Sequence, residues 1–521
     1  MLRKPLTVPI CAVFLACSTN AVAQKSTVGV SRLGVVDYAV IVVYFAVLIA
    51  MGIYFSRREK TTEAFFLGNR KIPWWAVGIS IFGTSVSAIT YIAIPAHAFA
   101  GDWVVLLFNI GIVFLAPFVA IVYLPRLREN SHTTAYEYLE HRFNLATRIY
   151  GSLIFAIFQL GRIGIVLYLP AIALNAATGI NLTACIIAMG ILATIYTVLG
   201  GIEAVIWTDV IQSIILVLGA ILALIIIITN IDGGFSQMLS LAQDNDKLHT
   251  FNWTLDIFTA GVWVAVIGGI FTSAYPAMAD QTVVQRYLST ADVSEARKAL
   301  YTNAALTIPI QFLFLGIGTA LWAYYTTHPG ELDPNLENNA ILPYFVIQQF
   351  PTGLKGLLIA GLFAASMSSL DSSMNSLSSV IVNDYFKRLF PDSSESRSLW
   401  IARAATLFFG IFGTFSALYV ANLPQEDQAD TIFNVFLTFL GLVGSGLSGI
   451  FVLGICTKRA NGIGAIVGGI TSGMIMFTIR RSEEGFLSDI HSYLYGMIGF
   501  LTAFIVGYCV SVAVESRIES G

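Results

Sequence analysis

The chain reads as an all-α polytopic membrane protein, and three observations predict that fold class. Of its 521 residues 56% are hydrophobic and only 11% are charged, where soluble domains carry about 25% charge. Mean hydropathy is +0.77. Apolar runs long enough to cross a bilayer recur from end to end. The net charge of −3 says little about partners, because the charges fall between the runs, and nothing supports nucleic-acid binding.

The N-terminus is the first element. Arg3 and Lys4 precede an apolar stretch to Cys17, and Ala21-Val22-Ala23 stands before Gln24. That order predicts a signal peptide over 1–23, with a membrane domain over 24–521. Cleavage would remove Cys11 and Cys17. Cys185, Cys456 and Cys509 lie in or beside separate spans, so neither a disulfide framework nor a transition-metal cluster is predicted. Thirteen spans follow, at 36–56, 74–99, 103–124, 147–178, 181–199, 204–229, 258–284, 300–326, 356–384, 399–421, 431–455, 461–479 and 491–513. Lys and Arg concentrate in alternate loops: SRREK and GNRK, then Arg126, Arg128 and Arg142, then Arg286 and Arg297, then Lys387 and Arg388, then Lys458 and Arg459. These are expected on the cytoplasmic side; the opposite loops are poorer in positive charge or acidic, with Arg480 and Arg481 an exception beside Glu483 and Glu484. The first span then starts outside, as a cleaved signal peptide also requires, and the C-terminus ends inside.

Two spans look broken. The run ISIFGTSVSAITYIAIPAHAF at 79–99 is polar at Gly83, Thr84, Ser85, Ser87 and Thr90, and contains Pro95. Five spans later VIGGIFTSAYPAMADQ carries Gly268, Gly269, Thr272, Ser273 and Pro276. Irregular backbone at membrane depth is tolerated where it lines a cavity or binds a ligand. A pair of interrupted helices at matching places in two halves points to a transporter built from inverted repeats. Close helix packing at small residues is the competing explanation.

The segment 362–377, LFAASMSSLDSSMNSL, is a run of hydroxyls with one carboxylate inside an apolar span. Such polarity is expensive in a membrane and usually functional. The Ala365 carbonyl and the Ser368, Ser369 and Ser372 hydroxyls follow i, i+3, i+4, i+7 spacing and share one helix face. Oxygen-only ligands suit a hard cation such as sodium. Two further charges need partners. Asp209 begins a span, where it either caps the helix with Thr208 or serves an ion. Arg162, in FQLGRIGIVLYLP, sits about fifteen residues, roughly 22 Å, into its helix. It is too deep to snorkel easily, so it pairs either with Asp209 or Asp371 or with a substrate carboxylate held bidentately. Neither a Walker sequence, a nucleophile triad nor a metal-ligand cluster is evident. His97 and Tyr275 lie near the broken segments and serve packing or ligand contact equally well.

The chain resembles the sodium:solute symporter family. The resemblance is carried by EAFFLGNRKIPWWAVGIS at 63–80, GGIEAVIWTDVIQ at 200–212, DQTVVQRYLST at 280–290 and the serine-rich helix. It implies a LeuT-like core of five plus five inverted helices, 74–229 and 258–455, preceded by the helix at 36–56 and followed by two over 461–513. It implies a sodium site formed by the carbonyls of Gly83, Val86 and Ala365 and the hydroxyls of Ser368 and Ser369. Some relatives use an aspartate at the position of Asp209 for a second ion, so Asp209, Ser368, Asp371 and Ser372 are expected to surround one. The family more often has a hydroxyl residue where Asp371 falls. Within the family, 84–103 is similar to the bacterial sodium-coupled sialic acid transporters, in which an arginine of the third core helix holds the sugar acid's carboxylate. Arg162 matches it, and Ser85, Ser87, Thr90 and Asn109 would hydrogen-bond the substrate. Relatives often carry a glutamine at Asn109 and an aromatic at Val105. The resemblance thus implies an importer, not an enzyme: a monomer in the bacterial inner membrane, surrounded by lipid and driven by one or two Na+. Its solute is a small anion of sialic acid type; a monocarboxylate, neutral sugar, vitamin or amino acid is the alternative, and a transporter-like sensor is a third reading.

Overall fold

The structure is a computed structural model that describes residues 33–57, 60–130, 132–334, 336–422, 444–482, 485 and 489–520. The signal peptide expected over 1–23 lies outside the described residues, as does the first part of the span expected at 431–455. The described residues are helical, with no strand among them. Nine helices among them are long and apolar enough to cross a membrane, and two bent helix pairs also qualify.

The principal helices are α1 Val35–Ser56, α2 Trp74–Ser85, α3 Ala88–Ala100 and α4 Val105–Leu127. They continue with α5 Ala135–Arg142, α6 Leu145–Thr178, α7 Leu182–Thr229, α8 Val262–Met278, α9 Gln281–Leu288, α10 Val293–Thr327, α11 Ile341–Gln349 and α12 Leu354–Val380. The last four are α13 Glu395–Ala421, α14 Ser445–Cys456, α15 Gly462–Arg481 and α16 Tyr495–Ser520. Helix α12 is the hub. It packs on α7, α13, α6, α1 and α2, and every residue from Leu358 to Val380 is buried. Among the candidate spans it is both the least apolar and the most buried. Its hydroxyls are tolerated because protein, not lipid, surrounds it on all sides.

The expected interruption of 79–99 is present. Helices α2 and α3 meet at 54°, with Val86 and Ser87 out of helical geometry at ψ 74° and 173°. The second interruption lies elsewhere than the small-residue run suggests. Helix α8 passes through Gly268, Gly269 and Pro276 unbroken, and the 58° bend to α9 falls at Ala279–Asp280. Asp280 caps α9, its Oδ1 accepting from the Thr282 N–H at 2.8 Å. The glycines instead allow close crossing, the competing explanation above. A Cβ on Gly269 would stand 2.2 Å from the Phe108 carbonyl oxygen, and one on Gly111 2.1 Å from the Gly269 carbonyl carbon.

The spans expected at 181–199 and 204–229 are two arms of α7, joined at Gly201 (φ 52°, ψ −154°). This is a left-handed conformation that favours glycine, and a Cβ there would press on the Phe65 carbonyl at 2.6 Å. Asp209 therefore lies two turns inside a helical arm and does not cap it, which corrects the capping alternative. Several arginines of the basic loops finish helices. Arg142 donates to the Gly454, Thr457 and Ala460 carbonyls at 2.8, 2.6 and 3.2 Å, and Arg128 donates to those of Tyr287 and Thr290. Cations at helix C-termini satisfy orphan carbonyls and oppose the dipole.

Gly269→Ala is expected to destabilise the α4–α8 crossing, while Gly316→Ala, whose nearest neighbour would be 3.9 Å away, should be neutral or gain up to about 1 kcal/mol. Thermal melting of the two variants in detergent checks this, and equal effects would exclude a tight crossing.

Candidate cation and substrate site

Helix α12 and the broken α2–α3 pair face each other across a polar core. The Ser369 hydroxyl lies 3.4 Å from the Ala365 carbonyl and 3.5 Å from the Thr84 carbonyl. Thr84 Oγ1 is 3.2 Å from Ser372 Oγ. Thr84 is the residue of α2 that makes these contacts, two positions before the break at Val86. The last carbonyls of a helix have no partner within it, and the break at Val86 leaves such carbonyls at α2's end beside α12. Gly83 packs against α7, where a Cβ would be 2.4 Å from Ser213 Oγ. The Ser213 hydroxyl is buried with no hydrogen-bond partner among the described residues. The sequence pattern did not single it out.

Ser368 turns the other way and donates to Asp209 Oδ1 at 2.6 Å. Asp209, Ser368, Asp371 and Ser372 are brought into one network. Ser372 Oγ donates to the Ser368 carbonyl at 2.5 Å and lies 3.3 Å from Asp371 Oδ1. Tyr196 donates to Asp371 Oδ2 at 2.7 Å, and Ser80 donates to Asp209 Oδ2.

A third charged group stands among them. The loop charge pattern predicts Arg286 on the cytoplasmic side in a loop, but it is completely buried on α9. Its guanidinium donates to Asp209 Oδ2 at 2.8 Å, Ser372 Oγ at 2.6 Å, Ser80 Oγ at 2.7 Å and the Thr282 carbonyl at 2.5 Å. The core thus holds two carboxyl groups against one guanidinium.

Arg162 pairs with neither of the carboxylates expected for it. Its Nη1 is 4.0 Å from Asp280 Oδ2, and its Nη2 donates to the Thr84 carbonyl at 3.4 Å. Asp280 is held mainly by neutral donors, the Thr282 N–H and hydroxyl at 2.8 and 2.7 Å and Gln159 Nε2 at 3.0 Å. At 4.0 Å the Arg162–Asp280 contact is a charge pair without a direct hydrogen bond. Sequence spacing could not identify Asp280, which is 118 positions away.

A cavity of about 170 Å³ opens beside the break. Ser85, Thr90 and Asn109 line it, together with Val86, Ser273 and residues of α10. Ser87, Arg162, His97 and Tyr275 are not among the lining residues. Asn109 Nδ2 donates to Gln311 Oε1 at 3.1 Å, which ties α4 to α10 across the cavity.

Removing Arg286 leaves Asp209 buried without its cation, which costs about 3–5 kcal/mol. Arg286→Met is expected to lower the melting temperature in detergent sharply, and the Asp209→Asn, Arg286→Met pair should lose much less than the sum of the single changes. Additive losses would mean that the two residues do not stabilise each other.

The sodium:solute symporter family matches residues 65–472. The chain is 37% identical to the sodium/sialic acid symporter of Aliivibrio fischeri, over 94% of this chain and 95% of that one. It is 38% identical to the sodium/sialic acid symporter of Proteus mirabilis, over 91% and 94%. Among solved structures, the substrate-bound outward-open state of a Na+-coupled sialic acid symporter superposes with a TM-score of 0.85 at 36% identity, covering 92% of this chain and 98% of that one. The match spans the broken helix pairs, the serine-rich helix and the helices that enclose the cavity, and this chain belongs to the sodium:solute symporter family.

Proposed function

We propose that the protein is a sodium-driven importer of a sialic acid, an N-acetylneuraminate-type sugar acid, and not an enzyme. The observation that carries this reading is the contact between the hydroxyl face of α12 and the carbonyl-rich break of α2–α3, in a chain over a third identical to two sodium/sialic acid symporters. Gly83, Val86, Ala365, Ser368 and Ser369 would bind the first ion. All five offer neutral oxygens, which suit a hard cation that must be released again. Asp209, Ser368, Asp371 and Ser372 are proposed for a second ion. The excess carboxyl group of that network favours a cation, and Arg286 would have to yield part of its hold on Asp209 and Ser372 to admit one.

The two repeats are taken as 74–229 and 258–455. Sodium entering from outside would order the break, the solute would bind beside it, and rocking of the repeats would expose both to the cytoplasm. Each inward charge gains about 2.3 kcal/mol per 100 mV, and a tenfold gradient adds about 1.4 kcal/mol. Two Na+ with one monovalent anion would carry net positive charge inward. The protein would act as a monomer in the bacterial inner membrane, its N-terminus outside and its C-terminus cytoplasmic, as the loop arginines suggest.

Arg162 is the proposed partner of the solute's carboxylate. Its 4.0 Å separation from Asp280 leaves guanidinium N–H groups available to donate to a solute carboxylate, while Thr282 and Gln159 continue to donate to Asp280.

Sodium-gradient uptake of labelled N-acetylneuraminate into proteoliposomes, with current recorded, tests the function. Uptake is expected to need an inward sodium gradient and to be electrogenic. Ser368→Ala and Ser369→Ala should each raise the sodium concentration for half-maximal uptake about tenfold or more, the loss of one ligand contact; unchanged sodium activation excludes these hydroxyls as ligands. Arg162→Ala should abolish uptake of the acid while sparing binding of its neutral amide, whereas equal loss of both makes Arg162 structural.

A further inference from the structure

One face of α10 is polar where it borders the cavity. Asn303, Thr307 and Gln311 recur every four residues and all line it. They run about 12 Å along the helix axis, eight residues at 1.5 Å each. Each is nearly buried, with 5, 9 and 5% of its surface exposed. Polar groups at this depth require partners, and these are only partly supplied. Gln311 Oε1 accepts from Asn109. Thr307 Oγ1 donates to the Asn303 carbonyl at 2.9 Å, which leaves its lone pairs free to accept. The Asn303 side-chain oxygen is buried with no hydrogen-bond partner among the described residues, and so is the hydroxyl of Tyr287, which borders the same cavity from α9. Both groups belong to residues of the cavity wall, and a ligand that pairs with them satisfies a buried polar atom that otherwise stays unpaired.

The character of the surface identifies the ligand group. Among the described residues that line the cavity none is charged. The face presents amide and hydroxyl groups that can both donate and accept. A carboxylate or an ammonium finds no counter-charge there. A run of alcohol groups, or an alcohol beside an N-acyl amide, finds complementary partners along the whole row. Arg162 lies outside the cavity lining, so the acid recognition proposed above and this neutral face are separate parts of the solute's environment.

We propose that Asn303, Thr307 and Gln311 of α10, with the Tyr287 hydroxyl, form a subsite for the uncharged polyhydroxylated part of the transported solute, and that this subsite sets selectivity for polyols over simple carboxylates. The inference rests on the solute-importer reading and deepens it. A site built to hydrogen-bond alcohols rejects analogues that lack them, because its own groups are then left unpaired.

The test compares wild type, Thr307→Val, which keeps shape and removes the hydroxyl, Thr307→Ser, which restores it, and Asn303→Leu. Uptake of N-acetylneuraminate is measured beside that of an analogue with its glycerol side chain shortened. Thr307→Val and Asn303→Leu are expected to raise the KM for the full sugar acid about tenfold, the loss of one hydrogen bond. They should leave the KM for the shortened analogue and the sodium activation unchanged, and Thr307→Ser should behave as wild type. Equal changes for both solutes, or none, overturn the subsite. Should wild type import no sialic acid, the substrate reading falls by itself. The subsite then stands only if a neutral hexose protects wild type, but not Thr307→Val, against thermal unfolding, and otherwise it falls too.

Discussion

The Arg286 guanidinium is the group on which the arrangement of the core depends. It is fully buried and reaches α2 through Ser80, α7 through Asp209 and α12 through Ser372, while its own helix supplies the Thr282 carbonyl. A charge in the interior of a membrane protein is tolerable only when an opposite charge and further acceptors surround it. The fork of the guanidinium meets that demand from several directions at once, which a lysine ammonium on a flexible stem would do less well. The broken helix, the serine-rich helix and the Asp209 arm of α7 are thereby held in one register.

That register links ion binding to helix position. Ser368 and Ser372 belong both to the Arg286 network and to the proposed ion sites, and Thr84 touches α12 through its hydroxyl and its carbonyl. A cation that changes the hydroxyl directions of α12 must alter the grip on α2, and movement of α2 must alter the oxygens offered to the cation. Such reciprocity is what thermodynamic coupling requires. Arg162 extends the linkage toward the solute, because it shares the Thr84 carbonyl with Ser369.

Much of this was legible in the chain because a bilayer restricts what a sequence can be. Hydroxyls at 365–372 in a span, and glycine, serine and threonine at 83–90, stand out against lipid-compatible residues, and both proved to lie at the centre. Ser85, Thr90 and Asn109 line the cavity, whereas Ser87 and Arg162 do not. Arg286 lies just past the apolar run 258–284, where arginine ordinarily marks a loop, so its burial is not legible in the sequence. The bend at Ala279–Asp280 turns α9 back into the protein, and nothing in residue counting reveals a turn inward. Gly268, Gly269 and Pro276 carried the opposite error. Their composition suits a break, but the close approach of α4 and α8 accounts for the glycines and the helix continues through them.

The sequence by itself determined the class of the molecule, the segments that cannot face lipid and the chemical type of ligand their oxygens suit. These follow from local composition and helical periodicity, which the membrane solvent enforces. Only the tertiary structure decided the pairings, among them Asp209 with Arg286 at 77 positions' separation and Arg162 with Asp280 at 118. It also turned the α10 face of Asn303, Thr307 and Gln311 toward the cavity. A buried charge or amide states in sequence only that it needs a partner. Which partner it meets depends on how the helices bend and cross, and those angles arise from contacts between residues far apart in the chain.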